Sequence, residues 1–241
     1  MVRRFRLDDR AARAAGLTVG DLLDTQVAAQ PQAPALQAGE RKWTFASLAA
    51  SVDQYCGLLL AQGARPGDSV AILSENRFEY VMLVLAAARL GVVTACLNWR
   101  QAPAELEHCI RLVTPALAVV SPRHAERIDL IRAQGVGKVL ILGDEFQALV
   151  DAQPVTRPVV PAPDAEAILI VLYTSGTTGL PKGAALSHRA IVARGVVGIM
   201  ERAYPRGSTF IAWPPMFHTA GMEYTLTTLM SGGRVIVMDG F

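Results

Sequence analysis

Very little in this 241-residue sequence points to cross-links, metals or a polyanionic partner. It holds three cysteines, Cys56, Cys96 and Cys109, and no C-x-x-C pair. So sparse and odd a count predicts reduced thiols and a cytoplasmic setting. Its four histidines fall at no zinc-ligand spacing, which argues against a structural metal. The charge is almost balanced, 23 Lys and Arg against 21 Asp and Glu, so no nucleic-acid-binding surface is expected. Long hydrophobic runs are also missing. The apolar run over residues 80–88 stops at Arg89, too short for a transmembrane segment, and reads as a buried helix. The first thirteen residues carry five arginines but also two aspartates, which fits a solvated arm better than an acid-poor transit peptide.

What is present is apolar. A composition of 51% hydrophobic and 18% charged residues excludes disorder and predicts a globular fold. Thr18 is placed to cap a helix reaching Ala29, ahead of Pro31. Gly39-Glu40 separates two short extended segments, a hairpin. Thr44 caps a second helix, in which Leu48, Val52, Tyr55, Cys56, Leu59 and Leu60 recur at helical spacing. Beyond Pro66-Gly67-Asp68, strands over 70–73, 92–97, 117–120 and 139–142 alternate with helices over 78–90, 103–113 and 125–134. Pro103 suits a first helical position. Such β-α-β alternation implies a parallel sheet with helices on both faces. Residues 152–164 carry four prolines, a stiff extended connection. Helices are expected over 188–202 and 222–230, with strands over 209–213 and 234–238.

The most informative stretch follows the apolar run at 167–172. Residues 173–183 read Tyr-Thr-Ser-Gly-Thr-Thr-Gly-Leu-Pro-Lys-Gly. Glycines let backbone N–H groups approach a ligand, and consecutive N–H groups in a turn form an anion-binding concavity. Thr174, Ser175, Thr177 and Thr178 add hydroxyl donors, and Lys182 adds a compact positive charge. The set suits nucleotide phosphates. It is not the NTPase loop G-x-x-x-x-G-K-[ST]: Pro181 stands where the second glycine belongs, and Gly183 follows the lysine. Residues 183–187 read as a second strand, making the segment a loop between strands.

This string, followed by Leu186-Ser187-His188, resembles the signature of the adenylate-forming superfamily. Trp213-Pro-Pro-Met-Phe-His218-Thr-Ala-Gly221 is similar to its P-M-F-H-x-x-G segment. The stretch from Leu90 to Asn98 resembles its L-G-A-x-x-x-P-L-N segment, with Thr94 to Cys96 replacing small residues and proline. The form is closest to acyl-CoA synthetases acting on fatty or aryl acids. The resemblance implies an α/β fold of stacked, mostly parallel sheets with helices on both faces, incomplete here. It divides the chain into an N-terminal arm (1–17) and a first α/β subdomain (18–151), with an early segment joining the second sheet. The proline-rich connection (152–164) follows, and then the phosphate-loop segment with the start of a second α/β subdomain (165–241).

The resemblance also implies the chemistry, an acyl-adenylate formed from ATP and a carboxylic acid, then transfer to coenzyme A. Thr174, Ser175, Gly176, Thr177, Thr178, Gly179 and Lys182 would hold the phosphates, with Mg2+ bridging phosphate oxygens beside Thr177. Lys182 and His218 would be the catalytic residues. His218, Gly221 and Met222 would border the acyl substrate, His218 by positioning the carboxylate. His188 reads as helix-start structure. A carrier-protein thiol as acceptor, or a non-catalytic nucleotide-binding fragment, is the alternative. The family's later adenine, ribose and C-terminal lysine segments do not appear before Phe241. A chain lacking them is expected to be inactive alone and to self-associate or to pair with the remainder of its own chain.

Overall fold

The structure, a computed structural model, describes residues 15–174, 179–202, 205 and 207–239. The order of elements begins with helix α1 (Val19–Ala29), hairpin strands β1 (Pro34–Ala38) and β2 (Arg41–Thr44), and helix α2 (Phe45–Ala61). There follow β3 (Ser69–Leu73), α3 (Phe78–Leu90), β4 (Val93–Cys96), α4 (Pro103–Val113), β5 (Leu117–Val120), α5 (Ile128–Ala133), β6 (Val139–Ile141) and α6 (Asp144–Asp151). After the proline-rich connection come β7 (Ile168–Thr174), β8 (Lys182–Ser187), α7 (His188–Arg202), β9 (Thr209–Ala212), α8 (Thr219–Met230) and β10 (Arg234–Val237).

Two sheets form. The larger has six strands in the order β6-β5-β3-β4-β7-β8, all pairs parallel except β7 with β8. The smaller has the order β2-β1-β10-β9, with β1, β10 and β9 mutually parallel and β2 antiparallel. The early hairpin thus joins the late strands, as Leu36 pairs with Val235. Strands on both sides of the proline-rich connection share the larger sheet, since β7 pairs with β4.

Period-two geometry explains why the larger sheet needs helices on both faces. Val70 and Ile72, Cys96, Leu117 and Val119, Ile170 and Leu172 all enter one core. Their neighbours Ala71 and Leu73, Ala95 and Leu97, Ala118 and Val120, Val171 and Tyr173 enter a second core with Leu106, Cys109 and Ile110 of α4 and Ile131 of α5. A strand apolar at every position has no face left for water.

Helix α3 fills the space between the sheets. From Glu79 to Leu90 every residue is buried, and the helix touches β4 and β7 of one sheet and β1 of the other. Each such Leu or Val contributes about 1.5–3 kcal/mol of burial, so Leu83→Ala would cost roughly 2–5 kcal/mol. Gly91 ends the helix in the left-handed region at φ 68°, where glycine carries no steric penalty. The buried Arg89 is held by Asp24 (2.8 Å), Asp53 (2.6 Å) and the Ala49 carbonyl (3.0 Å). Arg157 of the proline-rich connection reaches both oxygens of Asp24 at 2.6 Å. This paired network fastens the connection across α1, α2 and α3, because a buried guanidinium without partners would be strongly unfavourable.

Apart from bounds that shift by a residue or so, the elements depart from expectation in four places. Helix α6 is not visible in the sequence pattern, and α8 begins at Thr219 rather than near Met222. The helix expected over 125–134 splits into a 3-10 segment, Pro122–Arg127, and the short α5. Strand β8 already begins at Lys182.

Candidate functional site

In parallel sheets the carboxyl ends of strands lie along one edge, and the segments leaving them converge. Here the carboxyl edges of both sheets meet. Ser74 to Arg77 leave β3, Leu97 to Arg100 leave β4, Ser121 to His124 leave β5, and the stretch from Trp213 to His218 leaves β9. Arg123 pairs with Asp239 beyond β10. Trp99 stacks on His124 (centroids 5.3 Å apart) and packs edge-on against Phe217 (6.0 Å), while the Arg100 guanidinium lies over both Trp99 (4.8 Å) and Phe217 (6.0 Å).

The phosphate-loop string occupies the β7–β8 connection. Thr174 and Lys182 are register partners, and the Thr174 hydroxyl lies 3.5 Å from the Lys182 carbonyl. Both residues are exposed. Gly179 has φ 119°, and among the described residues beyond its chain neighbours no atom lies within 4 Å of where a Cβ would stand. The His108 ring of α4 donates Nε2–H to the Pro181 carbonyl (3.1 Å), which fixes the returning end of the connection and that tautomer. Ser175, Gly176, Thr177 and Thr178 lie outside the described residues.

His218 is the N-cap of α8 and is itself exposed. Its ring packs on Phe217 with centroids 4.5 Å apart. Partial burial and the Arg100 guanidinium hold the imidazole below its usual pKa, so it is neutral near pH 7, with one ring N–H to donate. Gly221 is the third residue of the helix. A Cβ there would lie 2.3 Å from the Pro215 carbonyl oxygen and 2.6 Å from that of Pro214. Only glycine permits so close a crossing of backbone. Met222 is buried and, with Ile170, Leu172, Leu186, Ile191 and Leu226, lines a narrow apolar cavity between β7, β8, α7 and α8. The Arg194–Glu223 ion pair (2.8 Å) lies beside it. His218, Gly221 and Met222 therefore fall on one helix start, and Met222 faces the strand that ends at Thr174.

Two buried polar residues carried no signal in the sequence. Asn76 bonds three backbone groups of residues 212–216. Glu75 accepts a hydrogen bond from the Ser121 hydroxyl (2.5 Å). Burial raises the Glu75 carboxyl, but that bond, a backbone hydrogen bond, Arg123 and Arg77 hold it below its ordinary value. Among the described residues no group of three His, Cys, Asp or Glu side chains could hold a metal ion, and no helix is long and apolar enough to cross a membrane.

The buried strand that leads into the 174–182 string thus shares an apolar cavity with the start of α8. Residues 23–241 match the family described as AMP-binding enzyme, and the chain belongs to that family. A feruloyl-CoA synthase from Amycolatopsis sp is 32% identical over 88% of the chain and 42% of its own length. The fatty acid–[acyl-carrier-protein] ligase ScoC of Streptomyces coeruleorubidus is 28% identical over the same shares. The inhibitor-bound N-terminal domain of FACL13 from Mycobacterium tuberculosis superposes with a TM-score of 0.87 at 26% identity, over 93% of this chain and 57% of that one. The chain thus spans less than half the length of these curated relatives.

Proposed function

We propose that this chain forms the phosphate- and carboxylate-binding part of an ATP-dependent carboxylate–CoA ligase. The observation that supports the reading is that Thr219 and Met222, at the start of α8, line one cavity with Ile170 and Leu172 of β7, the strand that leads into the 174–182 string. A carboxylate must approach a triphosphate, and the two anions repel. Catalysis then depends on positioning and charge neutralisation.

The donor set fits phosphate oxygens. Thr174 offers a hydroxyl, Gly179 a backbone without a side chain, and Lys182 an exposed ammonium. Ser175, Gly176, Thr177 and Thr178 complete the set in this reading. A magnesium ion would arrive with the nucleotide and be held largely by phosphate and water, with Thr177 as its protein neighbour. ATP, when bound, supplies the adenylyl group and the leaving pyrophosphate. Lys182 offsets charge on that leaving group. His218 donates its ring N–H to one carboxylate oxygen, and the first-turn N–H groups of α8 add a favourable helix-end field for the same anion. His218 is no general base here, because an ionised carboxylate has no proton to lose. The apolar side chains around Met222 would border the body of a fatty or aryl acid, which their cavity of about 10 Å³ must widen to admit; the coenzyme A thiol would then take the acyl group from the adenylate, with AMP leaving. The likeness to ScoC keeps one second reading, a carrier-protein thiol as the acceptor.

The test is pyrophosphate exchange into ATP with the full product of the gene that encodes this chain. Exchange should require a carboxylic acid and fall about a hundredfold or more in Lys182→Ala. Exchange without carboxylate, or an unaffected Lys182→Ala variant, would refute the assignment. Coenzyme A against a phosphopantetheinyl carrier as the second substrate then separates the acceptors.

A further inference from the structure

Asn76 is 5% exposed and lies just beyond the carboxyl end of β3. Its Nδ2 donates to the carbonyls of Ala212 (2.9 Å) and Pro214 (2.9 Å), and its Oδ1 accepts from the Met216 N–H (2.8 Å). Two carbonyls require donors and one N–H requires an acceptor, so a single orientation of the amide satisfies all three. The turn between β9 and α8 needs outside support, because Pro214 and Pro215 supply no N–H of their own. The first N–H after them is the one Asn76 takes. From Met216 the chain continues by local bonds, His218 N–H to the Pro215 carbonyl (3.0 Å) and Met222 N–H to the His218 carbonyl (3.1 Å). Gly221 also rests against the carbonyls of Pro214 and Pro215.

The other end of the clamp is equally fixed. Glu75, next in sequence, is tied to Ser121 at the end of β5, so the backbone that carries Asn76 is braced against the larger sheet. Aspartate could not replace Asn76, because its carboxylate would face two carbonyl oxygens without a donor. Glutamine would overreach by a methylene, and serine would fall short of three groups.

We propose that Asn76 is a positioning residue for the acyl site. It sets the height and rotation of the β9–α8 turn against the larger sheet and so aims His218 at the carboxylate. This rests on the role given to His218 above.

Two measurements on Asn76→Ala and Asn76→Asp test it. In the 241-residue chain, amide hydrogen exchange at His218 and Met222 should rise about tenfold or more, while Ile72 and Val119 of the larger sheet stay as in the wild type. In the full gene product, KM for the carboxylic acid should rise about tenfold, with kcat and KM for ATP changing less than about threefold. Exchange that speeds up uniformly across the chain, or a fall in kcat with carboxylate KM unchanged, overturns the proposal. Should neither variant fold, the wild type still decides the clamp. Its Met216 amide must open with the same free energy as Ile72, and a Met216 amide exchanging as freely as an exposed loop overturns it. A wild-type gene product with no carboxylate-dependent exchange would sink the functional reading and the aiming of His218 with it. The hydrogen-exchange comparison would still decide whether Asn76 holds the turn.

Discussion

The turn that carries His218 and the connection that carries Lys182 differ most in what surrounds their glycines. Gly221 has backbone oxygens closer than any Cβ could tolerate, and the turn beside it is gripped by Asn76. Gly179 has no described atom beyond its chain neighbours within 4 Å of where its Cβ would be, and Leu180 and Lys182 are exposed. A carboxylate is small and must present one oxygen at one angle, so the groups that meet it gain from being immobilised in advance. A triphosphate, the ligand proposed for the 174–182 string, offers many equivalent oxygens and demands less of any single angle.

The contrast can be broken first at the glycines. Gly221→Ala should lose about 3–5 kcal/mol in urea unfolding, through forced overlap with two carbonyls. If it melts like the wild type, the turn is looser than its geometry implies.

The ends of β8 supply the next test, because exposed Lys182 begins the strand and buried His188 follows it. Burial pushes His188 down to about 4, and its Nδ1 accepts the Val19 N–H at 3.3 Å. The folded pKa lies below the unfolded value of about 6.5, so between these values the unfolded chain binds the extra proton. Stability is therefore full above that upper value and falls as pH drops towards 4. The wild type should lose roughly 2–3 kcal/mol more than His188→Gln between pH 7 and pH 4, measured by denaturant titration. Equal losses would show that His188 is not the group responsible.

Smaller effects sharpen the other side of the comparison. Gly179→Ala should cost about 1–3 kcal/mol from backbone conformation at positive φ, with no overlap against the described residues. A loss as large as that of Gly221→Ala would mean that the connection is closed. Lys182→Ala should leave Tm unchanged while weakening nucleotide binding by calorimetry on the full gene product. A lowered Tm would assign Lys182 to the fold instead.

Local chemistry explains which elements were legible. Thr18 announces α1 because its hydroxyl accepts the Asp21 N–H while Asp21 returns a bond to the Thr18 N–H. Pro103 marks the start of α4 to the residue. Helix α6 is hidden because it starts after Gly143 without a side-chain cap and buries only Phe146 and Val150. The first turn of α8 is hidden because Gly221 argues against helix and His218 makes no side-chain cap bond. For the site, the string at 173–183 and the His218 segment could be read locally, since their residue types state their chemistry. Asn76 could not, as its partners lie 136–140 residues away and a lone asparagine after a strand resembles any turn residue.

The parallel pairing of β1 with β10 joins positions about two hundred residues apart, Leu36 with Val235. A ribosome adding roughly 5–20 residues per second emits the hairpin some tens of seconds before its neighbour exists. Until then the apolar Ala35 and Leu36 have no sheet to enter. Such a late long-range closure predicts slow acquisition of the smaller sheet, with the newborn amino-terminal segment a natural client for a chaperone while translation continues.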